Sequence, residues 1–233
     1  MTDRAALLNM LARRVASAPA GLPLATRLAA ACRDILEVTG LSITIEAASA
    51  NRVTLAVTDQ VSAELERLQD VLQQGPCWDA YLTGVPQKTD LSENDDARWP
   101  EFCPAARAAV GPRTVFGLPM QLQETVVGVI SLHQPHADED LSGGLEAALF
   151  LADAVGAALL LDPQQHDPHG RAGPWSSRAD IHQATGMVIA QLRISADDAL
   201  AILRAHAYAN DTGLDDIAEQ VINRRLVFGK DES

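Results

Sequence analysis

The side chains that could carry chemistry are few and widely spaced. Three cysteines, Cys32, Cys77 and Cys103, are odd in number and lack C-x-x-C spacing, which is typical of reduced cytosolic thiols. Cys77 stands out because it follows Gly75-Pro76 at the predicted start of a helix, where the helix dipole can lower the pKa of a thiol. It is either a redox-active or ligand-contacting thiol, or a small apolar residue packed beside a turn, and packing is favoured.

Histidine and acidic residues do not define a metal centre or a catalytic site. The candidates are two histidine pairs and one acidic run: His133 with His136, His166 with His169, and Glu93 with Asp95 and Asp96. The histidine spacing is loose and no third ligand follows, so solvated loops are favoured over a metal centre. The acidic run is more typical of a solvated surface. The sequence also lacks the motifs of phosphate-binding loops, dinucleotide binding, zinc proteases and serine hydrolases, so it predicts no enzyme, no metal and no cofactor.

Composition limits the class of protein. The 233-residue chain is long enough for one medium and one small domain, and 47% of its residues are hydrophobic. Its net charge of −13 argues against a general polyanion binder, so any nucleic-acid contact must use a local basic face. No apolar run of membrane-spanning length occurs, and the N-terminus, Met1-Thr2-Asp3-Arg4, does not resemble a signal peptide. These features predict a cytoplasmic protein.

Hydrophobic periodicity predicts an α+β domain in the first two thirds of the chain. Helices are predicted at 4–18, 24–38, 59–73, 78–83 and 143–161, with a short helix within 90–112, and strands at 41–46, 52–57, 86–89, 113–122 and 125–133. Gly40 is predicted to stop the second helix, and Gln123-Glu124 to close a hairpin. Pro86 predicts an edge position for its strand. This order favours an antiparallel sheet with helices on one face, as in a sensor module.

Four short motifs stand out within residues 24–160. They are Gly75-Pro76-Cys77-x-x-Ala80, Asp90-Leu91, Arg98-Trp99-Pro100 and the hairpin end Gly128-Val129-Ile130-Ser131-Leu132. Together they resemble the GAF domains of actinobacterial regulators. GAF domains bind small ligands, or haem or tetrapyrrole in some branches, and many have no known ligand. The resemblance implies a sensor with an unknown ligand, for which Cys77, Trp78 and Trp99 are the candidate contacts.

The C-terminal part begins with a linker and continues as three amphipathic helices. Residues 161–175 hold three prolines and two glycines, which predicts a linker. Helices are predicted at 178–192, at 196–209 and from Asp215 or Asp216 to about Leu226, with N-caps at Ser176 or Ser177 and at Ser195 with Asp198. Their apolar stripes predict a three-helix bundle. The narrow stripe of the first helix also predicts a two-chain coiled coil.

A composite pattern runs through all three of these helices. It reads Ile181-x-Gln183-Ala184-x-Gly186-Met187-Val188-Ile189, then Ala199-x-x-x-Leu203-Arg204-x-x-Ala207-x-x-Asn210, then Leu214-x-Asp216-Ile217-Ala218. Over residues 176–226 it resembles the ANTAR domain, a three-helix RNA-binding output module of antitermination regulators. The resemblance implies binding of paired RNA hairpins in leader transcripts, where an antiterminator is stabilised over a terminator stem, usually by a dimer. Thr185 and Arg193 depart from the pattern, because many ANTAR domains carry Lys and Gly there. Arg193 either replaces a phosphate contact of that Lys or only occupies the turn after the first helix.

Polar residues that lie off the apolar stripes of this segment are the RNA-contacting candidates: Gln183, Arg193, Arg204, His206, Tyr208 and Asn210. Recognition of hairpin loops by stacking and a few guanidinium contacts suits them, although the segment is slightly acidic overall. Arg204 either contacts RNA or forms an ion pair with Asp197 or Asp198. Tyr208 either stacks on a base or packs partly buried, and Gln183 either contacts RNA or occupies a polar coiled-coil position.

The sequence therefore predicts four parts: an N-terminal helix at 1–23, a GAF-like domain at 24–160, a linker at 161–175 and an ANTAR-like domain at 176–233. The predicted function is a signal-responsive, homodimeric transcription regulator that binds RNA hairpins and promotes antitermination. The alternative is a small-molecule or redox sensor that acts on protein partners, with the C-terminal helices serving only for dimerisation. A DNA-binding helix-turn-helix regulator has less support, because the third helix carries mainly acidic residues before Arg224.

Overall fold

The computed structural model describes residues 3–47, 51–92, 96–135, 141–162, 174–210 and 212–228. The chain divides into two compact units. We call them the sheet unit, which holds the β-sheet with the helices that precede residue 163, and the helical unit, which holds the C-terminal helices. Within the described ranges, no helix is long and apolar enough to cross a membrane.

The sheet unit alternates helices and strands. Its elements are α1 (Arg4–Ser17), α2 (Leu24–Leu36), β1 (Gly40–Ala47), β2 (Asn51–Val57), α3 (Gln60–Leu72), α4 (Pro76–Thr83), β3 (Gln87–Asp90), α5 (Phe102–Val110), β4 (Thr114–Leu122), β5 (Thr125–Gln134) and α6 (Gly144–Leu160). The strands form one antiparallel sheet in the order β2-β1-β5-β4-β3. The predicted α+β class and both predicted hairpins are confirmed, and β3 lies at the sheet edge as Pro86 indicated.

The two faces of the sheet differ in chemistry because side chains alternate along each strand. Ile43 and Leu132 belong to the apolar face, whose core α2 and α6 complete. Ser42, Thr44 and Ser131 lie on the opposite face and are also buried. Helices α3 and α4 cover that polar face. The prediction of helices on one face only is therefore wrong, because a strand face of Ser and Thr has the pattern of a solvated surface.

The end of α2 corrects a second prediction. The helix stops at Glu37, whose backbone adopts the left-handed conformation with φ 54° and whose N–H bonds to Arg33 O. Gly40, predicted as the stop, instead begins β1. A Cβ at Gly40 would overlap the side chains of Asp59 and His133, so glycine is required there for packing space.

Three helices form the helical unit: α7 (Pro174–Leu192), α8 (Ala196–Ala209) and α9 (Leu214–Ile222). The predicted stripes meet in one core, whose fully or almost fully buried members are Ile181, Ala184, Val188, Ala199, Leu203, Ala207, Ile217, Ala218 and Val221. The cap of α8 is also as predicted, because Ser195 Oγ accepts from Asp198 N at 3.1 Å and donates to Asp198 Oδ2 at 2.7 Å. The three-helix bundle is therefore confirmed.

The other helix ends of this unit differ from the prediction. Helix α7 begins at Pro174, so Ser176 and Ser177 lie inside it and are not its N-caps. Proline is favoured in a first turn because its missing N–H would have no helical partner. Helix α9 ends at Ile222 and not at Leu226, since the chain turns away at Asn223 and Arg224, where φ is 56° at Arg224.

The packing of α4 on the sheet gives a test of this architecture. The backbone of Pro76 and Cys77 lies so close to β4 at Gly117 that a Cβ there would overlap Pro76 C and approach Cys77 N to 2.8 Å. We predict that Gly117→Ala destabilises the sheet unit by about 1–3 kcal/mol. The new methyl group would meet backbone atoms, which cannot rotate out of the way as the end of a side chain can. Chemical unfolding followed by tryptophan fluorescence measures this.

Gly21→Ala is the matched control, because nothing lies within 4 Å of a Cβ at that exposed position. Equal unfolding midpoints for Gly117→Ala and the parent chain would contradict the close approach of α4 to β4.

Candidate nucleic-acid surface and the polar interior

A buried carboxylate organises the polar face of the sheet. Glu66 on α3 accepts Ser42 Oγ at 2.8 Å through Oε1, and Thr44 Oγ1 at 3.0 Å through Oε2. Arg52 on β2 donates to the same Oε2 at 3.2 Å, and both charged side chains are almost fully buried. The Arg52 guanidinium also lies 5.4 Å from the centre of the Trp78 ring. The Trp78 ring therefore packs against the guanidinium of a buried ion pair.

Cys77 lies beside this ion pair. Its backbone N–H donates to Gln69 Oε1 at 2.7 Å, whereas Gln69 Nε2 is buried and has no hydrogen-bond partner within the described part of the chain. Burial, together with the nearby Glu66 charge, raises the pKa of the Cys77 thiol well above its ordinary value. The lowering expected from a helix N-terminus is thus outweighed, and the geometry favours packing over a reactive thiol.

Trp99 is held between two charged side chains. It is only 1% exposed and its Nε1 donates to Asp79 Oδ2 at 2.9 Å. Arg98 lies over its ring at 4.2 Å and donates to the Lys88 carbonyl at 2.9 Å, on the edge strand β3. Asp96 pairs with Arg98, whose hydrogen bonds lower the pKa of that carboxyl. The Arg98-Trp99 motif therefore ties β3 to α4, and the Trp99 side chain is buried.

The remaining residues of the acidic run, Glu93 and Asp95, lie outside the described residues. So do His136, His166 and His169. Among the described residues, no group of His, Cys, Asp and Glu is arranged to hold a metal ion.

His133 is not in a solvated loop, which corrects the sequence interpretation. It is 2% exposed near the end of β5. Its Nε2 lies 3.2 Å from Asp59 Oδ1, and Arg113 Nη1 lies 3.2 Å from its Nδ1. Because arginine can only donate, Nδ1 must accept and the proton sits on Nε2, facing Asp59. Burial, aided by the Arg113 charge, lowers the pKa of His133 although Asp59 opposes this.

One surface pocket of about 180 Å³ lies elsewhere on the sheet unit. Its lining is Pro86, Gln87, Lys88, Phe116, Leu141, Gly144 and Leu145. It includes none of the predicted ligand contacts Cys77, Trp78 and Trp99. The structure thus places Cys77 and Trp78 beside the buried Arg52–Glu66 ion pair, whereas Trp99 lies between Asp79 and Arg98.

The predicted RNA contacts differ in exposure. Gln183 and Arg193 are exposed, and Arg193 follows α7 with φ 56° and its N–H bonded to Ile189 O at 2.8 Å. Tyr208 is 55% exposed, so its ring is available for stacking. Asn210 is exposed, but its side-chain amide donates to His206 O at 2.8 Å and closes the end of α8.

Arg204 and His206 are less accessible than the sequence suggested. Arg204 is half-buried, and burial lowers its pKa while the Asp197 charge acts in the opposite direction. His206 is half-buried with its ring 4.8 Å from that of Phe228 in edge-on contact. The Thr185 side chain is buried and donates to Ile181 O at 2.7 Å. Arg193 and Tyr208 are therefore better placed than Arg204 to meet a ligand.

Sequence reasoning missed Glu66 and Gln69. With Ser62 they form a polar stripe on α3 at helical spacing, beside the apolar stripe, and all three are buried. A polar stripe on a helix normally faces water. The one available signal was the matching polar face of β1 and β5, which could have paired with it.

Comparison with known proteins gives one family match and several similar solved structures. The ANTAR domain family matches residues 175–222, which covers α7 from its second residue and all of α8 and α9. Among solved structures, the chain is similar to the A. aeolicus nlh2 GAF domain in an inactive state, with 13% identity, a TM-score of 0.45, and 67% of this chain and 92% of that chain covered. It is also similar to the GAF-B domain of DevS from Mycobacterium smegmatis, with 18% identity, a TM-score of 0.41, and 70% and 97% covered. No curated protein matches the chain.

The chain consists of an α+β module followed by a small helical module. Residues 175–222 of the helical module match the ANTAR domain family. The sheet unit has the antiparallel architecture predicted for a GAF-like module.

The buried thiols give a second testable prediction. All three cysteines are buried, and burial raises the pKa of Cys32 to about 12. We predict that a thiol reagent such as dithionitrobenzoate labels none of them in the native protein and all three after unfolding, because thiolate is the reacting form. Labelling of any of them as fast as free cysteine would contradict this, and labelling at Cys77 would support a redox role for that thiol.

The His133 site gives a third prediction, on pH. Its folded-state pKa lies below the ordinary value of 6.5, so the unfolded chain binds a proton more readily. The stability that depends on neutral His133 is present above pH 6.5 and is lost as pH falls through the folded-state pKa. We expect the urea midpoint to drop between about pH 7.5 and about pH 5.5, and to drop less in His133→Gln. Identical pH dependence in both proteins would contradict this assignment.

Proposed function

We propose that this chain is a signal-responsive transcription regulator that binds RNA hairpins in leader transcripts through its ANTAR domain and promotes antitermination. The observation that carries this proposal is the family match over α7, α8 and α9. Antitermination requires a protein that favours one RNA stem over another. A module that binds the loop of one hairpin stabilises the stem below that loop. The chain would act in the cytoplasm, where transcripts are made, and as a homodimer that engages paired hairpins.

The charge of the chain sets how RNA is bound. A net charge of −13 opposes general attraction to phosphates, so affinity must come from a small surface. Arg193, Gln183 and Tyr208 are exposed and supply a guanidinium, an amide and a stacking ring. These groups suit unstacked loop bases more than the groove of a duplex. Hairpin loops are therefore the proposed target.

The sheet unit is proposed as the sensor. Its polar interior holds an ion pair, hydroxyl groups and the Gln69 amide, all closed from solvent. A small polar ligand that exchanged for these hydrogen bonds would favour one conformation over another and so shift the population of RNA-binding dimers. The burial of Cys77 supports ligand exchange over thiol oxidation as the signal.

A binding selection tests the proposal and gives the fourth prediction. The full chain is incubated with an RNA library of tandem hairpins with randomised loops, and bound RNA is sequenced. We expect enrichment of a defined loop sequence, and at least about 10-fold weaker binding by Arg193→Glu, because a charge-assisted phosphate contact becomes a repulsive one.

Arg13→Glu is the matched control, since it makes the same charge change at an exposed site of α1. Absence of any enriched RNA, together with capture of a protein partner by the same chain, would favour a sensor that acts through proteins.

A further inference from the structure

The chain does not leave the bundle where α9 ends. The segment 223–228, which we call the return segment, turns at Arg224, where φ is 56°. Both Arg225 N and Leu226 N donate to Gln220 O, at 2.8 and 3.1 Å. Phe228 N then donates to Gln191 Oε1 at 2.8 Å, on the last turn of α7. The return segment is therefore anchored back on the helix that leads to Arg193.

Phe228 is the point where this segment meets the bundle. Its ring contacts the His206 ring edge-on at 4.8 Å, so it lies against α8 as well as α7. Leu226 and Phe228 both pack against the core of the helical unit. The ANTAR match stops at residue 222, before the return segment begins. The folded helical unit is thus larger than the matched domain.

This anchoring places three arginines a few residues along the chain from one hydrogen bond. Arg193 is two residues from Gln191, and Arg225 is three residues from Phe228, so each backbone lies within roughly 12 Å of the Gln191–Phe228 hydrogen bond. Arg224 is one residue further. We call these three side chains the basic surface. All three are exposed.

Two acidic side chains that lie close to these arginines in sequence form hydrogen bonds with neutral groups. Asp198 Oδ2 accepts from Ser195 Oγ at 2.7 Å at the start of α8. Glu219 Oε1 accepts from Asn223 Nδ2 at 3.3 Å. Among the described residues, no ion pair engages the basic surface. Because all three arginines are exposed, an anion can reach their guanidinium groups, in a chain that is otherwise strongly acidic.

We infer that Arg224 and Arg225, together with Arg193, bind phosphates of the RNA, and that Phe228 positions them. This inference rests on the proposed function and adds a contact surface outside the matched domain. Because the net charge of the chain is −13, phosphates must be bound by a locally basic site, and the three arginines form such a site. The contacts supply affinity and orientation, while Tyr208 and Gln183 remain available for bases.

The salt dependence of binding tests this directly and is the fifth prediction. The probe is the hairpin RNA enriched by the full chain in the selection above. We expect Arg224→Gln/Arg225→Gln to bind it at least about 10-fold more weakly at physiological salt, with the slope of log K against log salt reduced by about 1 to 2, because each lost phosphate contact removes about 0.7–0.9. Arg4→Gln/Arg13→Gln, at exposed positions of α1, makes the same charge change and should leave the slope unaltered.

Phe228 variants separate positioning from folding. Phe228→Ala should weaken binding while Phe228→Leu restores most of it, because a large apolar side chain suffices to hold the return segment. Far-UV circular dichroism establishes that each variant is folded. If the parent chain enriches no RNA, the proposed function and this inference both fail. If it binds and the double arginine variant keeps the parent affinity and slope, this inference alone is wrong.

Discussion

Close packing of short helices is the constraint on which the helical unit depends. Ala184, Ala199, Ala207 and Ala218 are completely buried where the three helices meet. Larger side chains at these positions would push the helices apart, since protein cores have little spare volume. Small residues also fill little volume, so the core takes apolar side chains from beyond α9, including Phe228. The packing that forms the bundle therefore also folds back the segment that carries its arginines.

The sheet unit meets a different constraint, because one face of its sheet is polar and buried. Glu66 binds two hydroxyl groups and Arg52 at once, and all four side chains are buried. Breaking a buried ion pair by removing one partner costs about 3–5 kcal/mol, whereas well-packed apolar residues in its place are often at least as stable. Such an interior is therefore poorly explained by stability alone. It suits a module whose hydrogen bonds can be exchanged with those of a ligand.

Periodicity and capping rules predicted most helices and strands. They failed where contacts with residues distant in sequence determine whether a side chain is buried. Ser195 was identified as a cap because its partner Asp198 is local. Ser176 was misassigned because Pro174 starts α7 earlier. His133 and Glu66 resemble solvent-facing residues along the sequence, and their partners lie 74 and 24 residues away. Helical spacing alone indicated that His206 is accessible to RNA. It could not show that Phe228, which lies beyond the last predicted helix, packs against the His206 ring.

We propose that RNA contacts the helical unit at the basic surface, which is formed by Arg193 and the arginines of the return segment. Ultraviolet cross-linking of the full chain to its selected hairpin RNA, followed by mass spectrometry of the cross-linked peptides, maps that contact most directly. We expect cross-links in peptides that contain Tyr208 and the residues around Phe228, and none in the sheet unit. Cross-links confined to the sheet unit, or a helical unit without any, would contradict it.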